Sequence, residues 1–125
     1  MPPPVGLHGV IDSHAALHPG SEAVIDTHGS WTYSELRAAS LCVSNVLRAH
    51  GVKCLAPPSW STFPEAPRPL AVAMPRGREF LAICVGAWRL GVPVVALSDD
   101  MPDKEVERAR AERVAQELRP SALIV

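Results

Sequence analysis

Residues 70–97, LAVAMPRGREFLAICVGAWRLGVPVVAL, decide the fold of this chain. The short apolar run at 70–74 predicts a strand, and the run at 78–90, apolar on nearly all sides, predicts a helix buried on most of its surface. Gly91 suits the end of that helix, because glycine takes a left-handed conformation without strain. The apolar run at 92–97 predicts a second strand. Two apolar strands joined by a buried helix indicate a parallel sheet covered on both faces.

The residues after this stretch continue the alternation of helix and strand. Residues 103–118 have a charged helical pattern; Pro102 suits its first turn, and Asp103 suits the positive end of the helix dipole. The apolar residues expected to face the core are Val106, Ala109, Val114 and Leu118. Residues 121–125 predict the start of a third parallel strand. The predicted fold class is therefore α/β, a partial doubly wound parallel sheet with helices on both faces.

The residues before the deciding stretch predict a flexible terminus, a short helix and a hairpin. Residues 1–9 contain three prolines and two glycines and are expected to be flexible, with a helix at 10–17. Residues 23–25 and 31–33 predict paired strands, because Gly29 between them can adopt a positive φ.

A longer helix should follow the hairpin. Ser34 is its predicted N-cap, because a serine hydroxyl can accept a hydrogen bond from an amide of the first turn. Gly51 is its predicted end. Its apolar residues recur at helical spacing and are expected to face the core: Leu36, Ala39, Val43, Val46 and Leu47.

A proline-rich segment at 53–69 separates this helix from the deciding stretch. It contains five prolines, a density that prevents both helix and sheet, so a surface loop is predicted. Trp60 and Phe63 within it are interpreted as anchors on the body of the protein, with an exposed interaction patch as the alternative.

Composition excludes several functional classes. The formal net charge of −1 indicates neither a nucleic-acid surface nor an anionic-membrane surface. No apolar run approaches the roughly 20 residues of a membrane span, and the first residues lack the pattern of a secretory signal. The three cysteines, Cys42, Cys54 and Cys84, are interpreted as free thiols in a reducing compartment, with Cys42 and Cys84 buried. These features favour a cytoplasmic protein.

Four stretches, taken in order, resemble the motifs of the AMP-forming adenylate-forming superfamily, which includes acyl-CoA synthetases, luciferases and adenylation domains of nonribosomal peptide synthetases. Residues 31–36, WTYSEL, resemble its first core motif, and residues 22–26, EAVID, resemble the strand before that motif. Residues 70–80, LAVAMPRGREF, resemble its strand, Pro-Arg-Gly loop and helix start. Residues 88–97, WRLGVPVVAL, are similar to its second core motif, and Pro102 falls where the family has a helix-opening proline.

The resemblance implies that residues 10–125 are an N-terminal piece of an AMP-dependent synthetase/ligase. Such enzymes activate a carboxylate with Mg²⁺ and ATP as an acyl-adenylate, and often pass the acyl group to CoA or to a carrier-protein thiol. The remainder of that domain is the implied partner of this chain. The resemblance assigns a structural role to eight motif residues: Thr32, Tyr33, Glu35, Leu36, Pro75, Gly77, Gly91 and Pro102.

The family's catalytic parts have no counterpart in these 125 residues. The phosphate loop, Ser/Thr-Gly-Thr-Thr-Gly-x-Pro-Lys-Gly, is not in the sequence, nor are the adenine-binding segment, the ribose-binding Asp and the catalytic lysine. We therefore assign no catalytic, cofactor-binding or metal-ligating residue, and we predict that this chain alone is inactive. The family's Tyr and Pro in the second motif are Val95 and Ala96 here, which leaves the substrate open.

Three other patterns have a functional and a simpler interpretation. Residues 75–78, Pro-Arg-Gly-Arg, could hold an anion at a helix N-terminus or be a turn with solvated arginines, which is the simpler interpretation. Asp99-Asp100 resembles the Mg²⁺-binding pair of a receiver domain or caps a helix, and the latter fits the chain length better. His14 and His18 have a metal-compatible spacing but lack a recognisable third ligand.

A non-catalytic interaction module is the alternative function. Its docking surface would be the open edge of the sheet together with the loop that contains Trp60 and Phe63.

Overall fold

The computed structural model describes residues 6–52, 68–98 and 100–125. The elements in chain order are α1 (Gly6–Leu17), β1 (Glu22–Asp26), β2 (Gly29–Thr32), α2 (Tyr33–Ala49), β3 (Leu70–Val72), α3 (Arg78–Arg89), β4 (Val94–Ala96), α4 (Lys104–Leu118) and β5 (Ala122–Ile124). β1 and β2 form an antiparallel hairpin, and β3, β4 and β5 form a separate sheet.

The three-stranded sheet is parallel with the order β4-β3-β5. The connection from β3 to β4 and the connection from β4 to β5 run in opposite directions across the sheet. Because crossovers between parallel strands are right-handed in almost all proteins, this order places α3 and α4 on opposite faces. The structure confirms the predicted α/β class with a doubly wound parallel sheet and helices on both faces.

The hydrophobic core lies between β3, α2 and α3. All three residues of β3 are buried, as expected for a central strand covered on both faces. The buried residues of the main core cluster come from α2, β3, α3 and the short segments that follow α2 and α3: Leu47, Val52, Leu70, Val72, Ala87 and Val92. This cluster is what fixes the positions of the loops that follow β3 and β4.

The contact between α2 and α3 is close because small residues line it. The Ser44 hydroxyl donates to the Gly86 carbonyl at 2.6 Å, and a Cβ on Gly86 would lie 2.6 Å from a Val43 methyl carbon. The buried residues of α2 are Leu36, Ser40, Ser44 and Leu47. The prediction that Val46 faces the core is wrong, since Val46 is 52% exposed. The serines take its place because a larger side chain would hold the two helices apart.

The N-terminal end of α2 corrects the predicted cap. Thr32, not Ser34, is the N-cap: its hydroxyl accepts from the Glu35 amide, and the Glu35 carboxylate accepts from the Thr32 amide, both at 3.1 Å. This capping box satisfies two amides at once, which a cap at Ser34 would not do. The predicted end at Gly51 is confirmed by its φ of 81°. The Ser34 amide instead donates to the Pro19 carbonyl.

The first helix begins earlier than predicted. α1 starts at Gly6, so residues 6–9, expected to be flexible, are helical. Glycine costs a helix only about 1 kcal/mol per residue, and packing of α1 against α2 and α3 offsets that cost. Most of the predicted loop at 53–69 lies outside the described residues, Trp60 and Phe63 included.

The last helix differs from its prediction in where it begins and in how far it is buried. α4 begins at Lys104 with Asp103 as its N-cap, so Pro102 precedes the first turn instead of lying in it. None of the fifteen residues of α4, all within the described part of the chain, is buried. Val106 and Leu118, expected to face the core, are 49% and 46% exposed. α4 is therefore attached to the sheet far more loosely than α3.

Candidate functional site

The loops after β3 and β4 form the candidate site at the carboxyl end of the sheet. The first leads to α3 and the second to α4, so the two loops diverge toward opposite faces. In doubly wound sheets, ligands bind in the crevice that such divergent loops leave. Three cavities of about 360, 320 and 170 Å³ lie there. Met74 and Pro75 line the first and third, and Arg76 lines the first and second.

Asp26, at the end of β1, lines the third cavity and caps the N-terminus of α3, which begins 52 residues further along the chain. Its Oδ2 accepts from the Arg78 amide at 3.0 Å and from the Arg78 guanidinium at 3.1 Å. Its Oδ1 accepts from the His28 amide at 2.8 Å. The hydrogen bond from the Arg78 amide, above all, lowers the pKa of Asp26 to about 2. A carboxylate of this protein thus occupies the positive end of α3.

The contact between Asp26 and the N-terminus of α3 also explains why a glycine occupies position 77 of the motif. A Cβ on Gly77 would lie 3.0 Å from Asp26 Oδ2, so a side chain there would push the carboxylate from the helix end. The Arg78 guanidinium also lies 5.2 Å from the centre of the Trp31 ring. Arg78 is therefore paired, not solvated as the simpler interpretation had it. The anion that the Pro-Arg-Gly-Arg loop binds in this structure is the protein's own Asp26.

Arg76 is the other arginine of this loop, and it lies between the first two cavities. Its guanidinium stacks over the Phe80 ring at 4.4 Å and donates to the Met74 carbonyl at 3.3 Å. These two contacts hold the guanidinium in place at the edge of the sheet. Arg76 is consequently a preorganised cation beside open space.

The acidic residues after β4 are engaged in local contacts. The Ser98 hydroxyl donates to Asp100 at 2.9 Å, and Asp103 caps α4 by accepting from the Glu105 and Val106 amides. Asp99 lies outside the described residues. Within the described ranges there is no group of three or more His, Cys, Asp and Glu side chains that could hold a metal ion.

His14 of α1 has a packing role in the structure, and His18 follows the end of that helix. The His14 ring stacks on Tyr33 with centroids 5.0 Å apart, and the His18 amide donates to the His14 carbonyl at 2.7 Å. Tyr33, a motif residue, therefore joins α1 to the start of α2.

An ion-pair network that the sequence did not reveal joins the three N-terminal helices. Arg89 of α3 donates both terminal nitrogens to the Asp12 carboxylate of α1, and its Nε donates to the Ser40 hydroxyl of α2 at 2.9 Å. The hydrogen bond from Arg89 lowers the pKa of Asp12. The signal was Arg89, the one charged residue of the otherwise apolar stretch 80–90, since such a residue needs a partner when partly buried.

The cysteines differ in environment. Cys84 is buried as predicted, and burial raises the pKa of its thiol. Cys42 is exposed, so the prediction that it is buried is wrong. Its position on α2 lies between the buried positions 40 and 44, on the side that faces away from α3.

The eight motif residues are divided between separate places. Thr32 and Glu35 cap α2, and Leu36, 2% exposed, anchors the first turn of that helix in the core. Pro75 and Gly77 line cavities at the carboxyl end of the sheet. Tyr33 stacks on His14, and the remaining two mark helix boundaries: Gly91, with a φ of 73°, follows α3, and Pro102 precedes the cap of α4.

Comparison with known proteins gives consistent matches. A family model described as AMP-binding enzyme matches residues 11–124. The AMB antimetabolite synthetase AmbE of Pseudomonas aeruginosa is 32% identical over 110 residues, which are 87% of this chain and 5% of AmbE. The structure of VinN with L-aspartate matches with a TM-score of 0.74 and 26% identity, over 94% of this chain and 28% of VinN.

A third match concerns fold alone. The nonribosomal peptide synthetase FmoA3, bound to alpha-methyl-L-serine-AMP, has a TM-score of 0.72 at 24% identity, over 98% of this chain and 12% of its own. This chain thus spans a small part of each relative.

In the described ranges, no helix has the length and apolar character needed to cross a membrane.

Proposed function

This chain belongs to the AMP-binding enzyme family, and we propose that the protein in which it acts joins a carboxylate to ATP as an acyl-adenylate with release of pyrophosphate. The chain corresponds to an N-terminal part of such a synthetase. The observation that carries the proposal is the family match over residues 11–124, in a chain whose fold also matches VinN.

The residues of this chain do not fit an ATP site of their own. The sequence lacks the glycine-rich phosphate loop, and the helix N-terminus after the Pro-Arg-Gly loop is occupied by Asp26. No catalytic step is therefore assigned to these residues, and ATP and Mg²⁺ belong with residues of the parent synthetase outside this chain. We also propose a cytoplasmic location, because ATP is available there.

The contribution of this chain is structural. The motif residues hold the hairpin, α2 and the sheet together, through the capping box at Thr32 and Glu35 and the close contact between Gly77 and Asp26. The exposed residues of α4 and β5, Val106, Leu118 and Leu123, are a surface for the remainder of the synthetase domain. CoA or a carrier-protein thiol is the proposed acyl acceptor of the complete synthetase.

Amino acids are the first carboxylates to test. VinN was solved with L-aspartate, and FmoA3 with alpha-methyl-L-serine-AMP. A fatty acid AMP ligase from Legionella pneumophila shares the fold at 18% identity, so fatty acids form the second set.

The test is carboxylate-dependent ATP–pyrophosphate exchange, measured for the 125-residue chain and for the product of the full reading frame in which it lies. We expect exchange by the full product with at least one amino acid or fatty acid, and none by the chain alone. Exchange by the chain alone would show that an ATP site lies within it. An inactive full product, or a frame that ends at Val125, would support the non-catalytic interaction module instead.

A further inference from the structure

We propose that α1 is a detachable segment, held on α2 and α3 by a charge latch between Asp12 and Arg89, and that it opens while the sheet and α3 stay folded. Release of α1 removes the carboxylate from Arg89 and exposes the face of α2 and α3 that α1 covers. This inference stands apart from the proposed adenylation, because it concerns the attachment of one helix and involves neither ATP nor residues outside this chain.

α1 has little apolar attachment to the rest of the chain. Of its twelve residues, all within the described ranges, Ala15 alone is buried. Leu7, Val10 and Leu17 are 60%, 39% and 72% exposed. In the described part of the chain, no residue of α1 belongs to the main core cluster or packs against it. The core between β3, α2 and α3 is therefore built without α1, and apolar burial holds this helix only weakly.

Charged contacts replace the missing burial. Arg89, whose side chain is only 10% exposed, donates to both oxygens of the Asp12 carboxylate, with 2.8 Å between Nη1 and Oδ2. Arg37 of α2 lies 3.3 Å from the same carboxylate, but its side chain is 48% exposed. A charge-assisted hydrogen bond is roughly twice as strong as a neutral one, and it is strongest where solvent is excluded. The contact between Asp12 and Arg89 is therefore the main attachment of α1.

The residues between α1 and β1 provide a hinge. The Ser34 amide donates to the Pro19 carbonyl at 3.2 Å, and the Tyr33 amide donates to the Ser21 carbonyl at 3.0 Å. Both bonds hold the linker on the first turn of α2, and neither involves a residue of α1. Opening can therefore take place by backbone rotation near His18, without a change in the hairpin or in α2.

A released α1 would not remain helical. It has twelve residues and contains Gly6 and Gly9, and an isolated helix of this length is marginal in water even when it is rich in alanine. Opening also breaks the stacking of His14 on Tyr33, whose ring centroids are 5.0 Å apart. Because the amides of α1 lose their hydrogen bonds whenever the latch opens, their exchange with solvent measures the opening.

Hydrogen exchange of the full 125-residue chain at neutral pH is the experiment. In the unaltered chain, we expect amides of α1 to exchange at least about tenfold faster than amides of α3, because α1 opens without the core. Asp12→Asn keeps the shape of the side chain and removes its charge. It should accelerate exchange of α1 by about tenfold, the effect of losing a charge-assisted hydrogen bond. Exchange of α3 should rise by the same factor, because global unfolding also breaks the latch.

Two variants serve as controls. Val94→Ala truncates a side chain of β4 that packs against the core cluster. It should accelerate exchange of α3 by about tenfold and leave exchange of α1 unchanged, because the core stays folded when the latch opens. Arg37→Gln removes the exposed partner of Asp12 and should change exchange of α1 by less than about twofold.

Equal exchange of α1 and α3 in the unaltered chain would overturn the proposal, because α1 would then open only with the core. Acceleration of α1 by Val94→Ala would overturn it for the same reason. Unchanged exchange of α1 in Asp12→Asn would show that the charge contact does not hold the helix. An effect of Arg37→Gln as large as that of Asp12→Asn would contradict the assignment of the latch to Arg89.

Discussion

The helices α3 and α4 occupy equivalent places in the fold, one on each face of the same sheet, yet they differ completely in burial. Among the described residues of α3, Glu79 alone is exposed. In α4, by contrast, every residue remains at least partly accessible. Both helices have apolar residues at helical spacing. The difference teaches that such spacing identifies the face that can be covered, whereas the chain's other elements decide whether it is covered.

The reason lies in what each helix meets. α3 packs against α2 and also contacts α1, β1 and β4, so most of its surface has a neighbour within this chain. α4 is held mainly by its ends, through the Asp103 cap and the strands it connects. We therefore expect equivalent substitutions in the two helices to have very different effects.

Matched valine truncations give the largest expected contrast. Val85 in α3 is fully buried, and Val106 in α4 is 49% exposed. Val85→Ala should lower the free energy of unfolding by about 2–3 kcal/mol, from lost burial plus a residual cavity. Val106→Ala should change it by less than about 0.5 kcal/mol, because alanine also favours a helix. Urea denaturation of both variants measures the difference, and equal losses would mean that α4 is buried as firmly as α3.

Matched arginine substitutions come next. Arg89 of α3 joins Asp12 and Ser40, whereas Arg113 of α4 pairs with Glu117 at 3.8 Å on the surface. Arg89→Leu should cost about 1–3 kcal/mol, because it removes the donor to the buried Ser40 hydroxyl and leaves Asp12 with its ion pair to the exposed Arg37. Arg113→Leu should cost less than about 0.5 kcal/mol. Thermal unfolding followed by circular dichroism distinguishes the two, and similar midpoints would show that the three-helix network adds no stability.

The two N-terminal caps give the smallest contrast, and it depends on pH. α3 is capped by Asp26 from the distant hairpin, and α4 by its own Asp103. The pKa of Asp26 in the folded chain, about 2, is below its ordinary value of 3.8, so its contribution to stability is complete above about pH 4 and disappears as the pH falls toward 2.

Asp26→Asn should therefore be less stable than the unaltered chain at neutral pH, and this deficit should shrink between pH 4 and pH 2. Asp103→Ala, which removes a local cap, should cost about 1 kcal/mol. Urea midpoints across this pH range provide the measurement. A deficit for Asp26→Asn that is the same at both ends of the range would mean that its carboxylate is not held by Arg78.

The sequence predicted the order of elements and the sheet because these depend on local signals. The apolar runs at 70–74, 78–90 and 92–97 and the glycine at 91 give β3, α3, β4 and their boundary directly. The capping box at Thr32 was readable but was assigned to Ser34 instead, two positions away. An error in the position of one helix cap is local and does not change the predicted order of the elements.

Contacts between distant residues could not be predicted in the same way. Asp26 with Arg78 and Asp12 with Arg89 are separated by 52 and 77 residues, and the pairing depends on how the hairpin and α1 pack. The sequence likewise showed two arginines in the loop after β3 without showing that Arg78 is neutralised by Asp26 while Arg76 borders open space. The sequence analysis preferred a turn with solvated arginines at this loop, so it did not predict the candidate site.

Hydrogen exchange of the two helices tests the central claim most directly. In the 125-residue chain, we predict that amides of α3 exchange on the order of 100-fold more slowly than amides at equivalent positions of α4, because α3 opens only with the core. In a longer product that contains the rest of the synthetase domain, the amides of α4 should become protected as well. Equal protection of α3 and α4 in the isolated chain would contradict the claim that α4 is attached to the sheet more loosely than α3.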